Sequence, residues 1–146
     1  MRRAVAALAL AVACLSGPAL AADGAALYAD NCAPCHQAQG QGTAGLAPPL
    51  VSGVLKRAGE GEARAYVPQV IIHGMSGPIQ VEGQLFMSAM PGHTDLADAE
   101  VAAIAAFVLD GLNGLAAQVT EAEVAAWRAA PLDHGALRTL RKDFAP

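Results

Sequence analysis

With 146 residues the chain has room for one domain and little more. Hydrophobic residues make up 54%, but 35 are alanine and only 4% of the chain is aromatic, so its own side chains are poor fillers of a core. Charged residues reach 15%, against roughly 25% in ordinary soluble domains; a formal charge of −4 argues against a nucleic-acid binder, and the absence of charge blocks against disorder. Something other than side chains is expected to occupy the centre.

The first twenty-one residues read as an address. Arg2 and Arg3 form a basic start, Ala4 to Leu15 is an apolar run, Ser16-Gly17-Pro18 breaks it, and Ala19-Leu20-Ala21 has the small-x-small form of a cleavage site. The run is shorter than the roughly 20 residues that a membrane span needs. Cleavage after Ala21 is expected, leaving residues 22–146 with a formal charge of −6 once Arg2 and Arg3 are gone. The alternatives are a buried N-terminal helix, or a lipid anchor at Cys14 following Ala11-Val12-Ala13.

Asp23 is a suitable N-cap for a helix running into Cys32-Ala33-Pro34-Cys35-His36. C-x-x-C alone fits a disulfide or a thiol-redox site, and structural zinc would require two further ligands. Adding His36 makes it the attachment motif of a c-type haem: two thiols form thioethers with the vinyl groups, and the adjacent histidine lies under the iron. His73, His93 and His134 are scattered without the paired spacing of a zinc site.

Gln37 to Pro49 is rich in Gly, Pro and Gln and reads as loop. A second helix is expected from about Glu62 to His73, stopped by Gly74 and split or kinked at Pro68. Ile79-Gln80-Val81 alternates, enough for one short strand. Met90 precedes Pro91-Gly92, and a residue before proline is pushed toward extended geometry, which suits a loop laying a thioether on iron. Met90 is the leading candidate for the second axial ligand; Met87 is its rival, and Met75, His73 and His93 are further candidates with packing, capping or surface roles as alternatives.

Asp98 to Leu109 puts Val101, Ile104, Ala105 and Val108 on one helical face, with Asp98 and Glu100 in its first turn and Gly111 or Gly114 to end it. Thr120-x-x-Glu123 is a capping box, so a short helix is expected from Glu121 to Ala130, ended by Pro131 and followed by a tail with Arg138, Arg141 and Lys142. This extension either wraps the domain and buries Trp127, or docks a partner enzyme.

From about Asp23 to Leu112 the chain resembles class I monohaem c-type cytochromes of bacteria. Gly24, Tyr28 and Cys32 recur at steps of four, and Pro48-Pro49-Leu50 follows His36 at the family distance. His73-Gly74-Met75-Ser76-Gly77-Pro78-Ile79 and Met90-Pro91 resemble family segments, and Ile104 and Phe107 stand where the terminal helices meet. The resemblance implies an all-α fold of three to five helices around one haem attached through Cys32 and Cys35, with iron held by His36 and Met90. It further implies that the Pro48 carbonyl accepts from His36 and that Leu50 packs on the haem. The domain is expected over 22–114, and a short helical extension over 115–146.

Ala97 departs from the serine cap of many relatives, so capping is expected from Asp95 or Asp98. The family's aromatic partners for the haem propionates have no clear match; Lys56, Arg57, Arg64 and Tyr66 are candidates. The expected function is a periplasmic carrier of single electrons between a dehydrogenase and an oxidase or other cytochrome, or the cytochrome subunit of a dehydrogenase. No catalysis of its own, no nucleic acid and no transmembrane segment after processing are expected. The alternative is a haem enzyme or gas sensor with an open sixth position, for which His73 and Arg64 are the distal candidates.

Overall fold

The computed structural model describes residues 22–144, so the expected leader and Cys14 lie outside the described residues. Asp23 caps helix α1 (Gly24–Asn31), its carboxylate accepting from the Ala25 and Ala26 amides at 3.1 Å each. Helix α2 (Ala33–His36) follows at once and carries the haem motif. Gly24 lets α1 cross the later helix α4 (Asp98–Ala106) in backbone contact, since a Cβ there would lie 2.2 Å from Ala103 O. Tyr28 and Phe107 complete the crossing, with ring centroids 5.1 Å apart.

Helix α3 (Gly53–His73) is longer than expected and is not split at Pro68. Pro68 is fully buried, and tertiary packing carries the helix through it. The Gln69 side-chain Nε2 donates to Ala65 O at 3.1 Å, in the turn where proline withholds a donor. The start moves back to Gly53 because Glu82, far along the chain, accepts from the Gly53 amide at 3.0 Å. Glu82 and Gly83, both at positive φ, form the two-residue turn of a hairpin between β1 (Ile79–Val81) and β2 (Gln84–Phe86), with Ile79 opposite Phe86.

The cap of α4 comes from Glu100, which accepts from the Ala97 amide at 2.9 Å, and not from Asp95 or Asp98. Alanine has no oxygen to offer, so only the returning half of a capping box forms; Asp98 instead pairs with Arg128 at 2.7 Å. The chain continues past α4 as a π-helical segment, Phe107–Gly111, and turns at Gly114. Asn113 then ties the end of this helix to a distant loop, donating to Val108 O at 2.8 Å and Leu50 O at 3.1 Å.

Beyond Gly114 the capping box forms as expected: Thr120 and Glu123 exchange hydrogen bonds at the start of helix α5 (Glu121–Ala129). The expected tail is a further helix, α6 (His134–Phe144), with Leu137 fully buried. Leu137 and Leu140 stand on its inner face at helical spacing, and polar contacts to residues some sixty positions away fix it in place. Helix α5 packs on α3 and α4, and α6 on α3. Val124 and Leu137 are the fully buried anchors, while Trp127 is only half-buried.

Candidate haem site

Cys32 ends α1, and α2 turns Cys35 and His36 back along the same wall, with the His36 amide donating to Cys32 O at 2.9 Å. From Gln37 the chain loops and returns. Gly42, at φ +75°, permits the return, because a Cβ there would meet Ala47 O and Pro48 C at 2.6 Å. Pro48 O is thereby brought within 2.9 Å of His36 Nδ1. A carbonyl can only accept, so Nδ1 carries the proton and Nε2 keeps its lone pair for a metal. Burial holds the imidazole below its ordinary pKa, an effect the Pro48 hydrogen bond partly offsets, so the neutral ligand form is favoured.

A second crossing builds the opposite wall. Met75 and Met90 exchange backbone hydrogen bonds, at 3.0 and 2.8 Å, and the His93 amide donates to Ile71 O at 2.8 Å. Gly74 and Gly92 make this approach possible: a Cβ on Gly74 would lie 2.4 Å from Met90 O, and one on Gly92 2.4 Å from Ile72 O. The strand-like geometry that Pro91 favours at Met90 is thus fixed by a partner segment.

Cys32, Cys35, His36, Pro48, Leu50 and Met90, the residues singled out by the sequence, line one cavity. The cavity opens to solvent at its mouth. Its walls are mostly apolar, with Ile71, Phe86, Ile104 and Val108 among them. A flat, greasy macrocycle with two vinyl groups and a metal fits these donors and these walls. This cavity also explains the shortage of aromatic residues.

Met75 is buried on the cavity wall, consistent with packing, and His93 is on the wall as well. Met87 is 65% exposed and absent from the wall, whereas Met90 is on it. Of the propionate candidates, only Tyr66 lines the cavity; Lys56 and Arg57 are exposed, and Arg64 is drawn off by Glu123 and Gln118 O. Arg141, which the sequence places in a charged tail, also lines the cavity. Its signal was the helical spacing of His134, Arg138 and Arg141, which reads as a charged tail unless α6 is recognised as a helix.

The other chemistries lack support in this geometry. Cys32 is buried and its thiol is pushed up to about 11, by burial first and then by Cys35, whereas a redox thiol needs a lowered value. No cluster of three or more His, Cys, Asp or Glu that could hold a metal occurs among the described residues. Neither His73 nor Arg64 reaches the cavity wall, so they form no distal pair. Among the described residues no helix is long and apolar enough to cross a membrane.

Residues 21–111 match the family profile of cytochrome c, and the chain belongs to that family. With one C-x-x-C-H motif it is a class I c-type cytochrome, carrying one haem with its iron, covalently attached through Cys32 and Cys35. Two curated relatives, both named cytochrome c-552 and both from Thermus thermophilus, are similar to it. One is 42% identical over 91 residues, 62% of this chain and 61% of the relative. The other is 40% identical over 83 residues, 57% of this chain and 63% of the relative. The chain thus spans less than two thirds of the length of either.

Proposed function

We propose that this cytochrome is a carrier of single electrons whose iron is held by His36 Nε2 and the Met90 thioether. The observation that carries this reading is the cavity with both ligands pinned by backbone hydrogen bonds, His36 through Pro48 O and Met90 through Met75. The haem supplies a one-electron change of valence. The chain's part is to hold both ligands still, so that little structural reorganisation accompanies that change, and to keep water from the metal. Methionine ligation also raises the reduction potential, which suits passing electrons on toward an oxidase or another cytochrome.

The leader-like residues 1–21 support export to the periplasm, with Cys14 lipidation as the lesser route. There the chain would accept electrons from a dehydrogenase, as a free carrier or as its cytochrome subunit. Leu46, on the cavity wall yet half exposed, gives the site an apolar rim toward solvent. The formal charge of −6 after cleavage favours partners with a basic docking patch, in small and transient complexes.

Voltammetry of the purified holoprotein, with a peroxide-turnover assay beside it, tests this reading. A single reversible one-electron wave without peroxide turnover is expected. An irreversible wave with turnover would place the chain among haem enzymes.

A further inference from the structure

Helix α6 lies outside the cytochrome c match, yet it reaches the cavity. One of its faces presents His134, Arg138 and Arg141, at helical spacings of four and three. His134 Nε2 bonds to His73 O at 3.1 Å, Arg138 to Ser76 O, and Arg141 Nη2 to Gln80 O at 3.0 Å. The three contacts run in step, so α6 lies in register along residues 73–80, with Leu137 buried beneath it. Gly77 makes room for this, since a Cβ there would come 2.9 Å from Arg138 Nη1.

Arg141 is the last of the three and the most enclosed, 7% exposed. Its hydrogen-bond partners are Gln80 O and the Tyr66 hydroxyl, both neutral. The two ion pairs among the described residues are Arg64–Glu123 and Arg128–Asp98, and neither includes Arg141. Among the described residues Arg141 meets no anion, and a buried cation left so is costly. Among the described residues the other titratable groups on the wall are Cys32, Cys35, His36, Tyr66 and His93, and none is a carboxylate. A haem brings two carboxylates of its own, on the edge of the macrocycle away from the vinyl groups.

We propose that Arg141 binds a haem propionate, with Tyr66 steadying its guanidinium, so that helix α6 completes the haem site from outside the family fold. This rests on the haem reading above, and the haem content of each variant, measured as the pyridine haemochrome, separates the two. A cation beside the haem favours the reduced form, because reduction removes one positive charge from the iron.

The test compares Arg141→Gln, Arg141→Lys and Arg138→Gln holoproteins by resonance Raman of the propionate bending band and by reduction potential. Arg141→Gln is expected to shift the band and lower the potential, with full covalent haem. Arg141→Lys is expected to shift the band while holding the potential nearer that of the parent. Arg138→Gln, which loosens α6 but lies off the cavity wall, should lower the melting temperature and leave band and potential in place. If Arg141→Gln leaves both unchanged, or Arg138→Gln moves them equally, the proposal fails. Should Arg141→Gln not accumulate as folded protein, the Lys variant decides: an unshifted band overturns the proposal.

Discussion

The two walls of the haem cavity are built differently. The histidine wall is held mostly by its own stretch of chain, residues 28–50, with Asn113 reaching Leu50 O and Ser88 reaching Gly45 O from outside it. Tyr28 donates to Gln37 O at 2.7 Å, Thr43 to Cys35 O at 2.9 Å, and His36 Nδ1 to Pro48 O at 2.9 Å. The methionine wall is assembled at long range. Met90 is held by Met75, and the Met75 segment is clasped by a helix some sixty residues further along. The difference teaches that, on the proposed ligation, histidine depends mostly on one compact loop and methionine on contacts from across the molecule, extension included. Disturbing the extension should loosen methionine before histidine.

The largest effect should come from removing the common anchor. Cys32→Ala with Cys35→Ala is expected to abolish covalent haem, read as loss of the pyridine haemochrome after denaturation, because no other cysteine occurs among residues 22–146. Met90→Ala should open the iron of the reduced protein to CO and lower the potential. Met87→Ala, at an exposed side chain, should do neither; the reverse pattern would move the ligand to Met87.

The comparison is sharpened by a pair of variants. Leu137→Ala removes the buried anchor of α6 and should cost about 2–5 kcal/mol in denaturant unfolding. It should weaken the methionine-to-iron charge-transfer band while the haem stays bonded to histidine. Gly42→Ala acts on the other wall, forcing a Cβ against Ala47 O in a residue at φ +75°. A loss of about 1–3 kcal/mol is expected, with the His36–Pro48 hydrogen bond disturbed first and the charge-transfer band retained. Equal loss of the band in both variants would remove the distinction.

Much of the histidine wall was legible because its signals are close together in the chain: C-x-x-C-H, the following loop glycines, and Pro48 at a fixed distance. The extended backbone at Met90 was legible through Pro91, which biases backbone geometry on its own. The reason Met90 stays in place was not, because the close approach of Gly74 and Gly92 joins two segments by contacts no local pattern reveals. Helix α3 was cut short for a similar reason: Glu82 supports its start and buried packing carries it through Pro68. Arg141 was read as tail charge because polar residues that bond to distant carbonyls look, in sequence, like solvated ones.

The smallest expected effect lies in the extension and concerns pH. Hydrogen bonds from Thr120, and after them Arg64, hold the Glu123 carboxyl below its ordinary range. A carboxyl with a lowered folded pKa adds stability above its unfolded value, and that contribution fades as pH falls through the folded value. Acid titration of the melting temperature should therefore be slightly shallower in Glu123→Gln than in the parent below the ordinary carboxylate range. Parallel curves would mean that this exposed cap is not coupled to folding.

The most direct test of a site closed by histidine on one wall and methionine on the other is the optical spectrum of the purified protein, oxidised and reduced, with and without CO. A low-spin c-type spectrum is predicted, with a methionine-to-iron charge-transfer band in the oxidised form and no response of the reduced form to CO. A high-spin spectrum, or a reduced spectrum shifted by CO, would mean that Met90 does not hold the iron and would contradict the account.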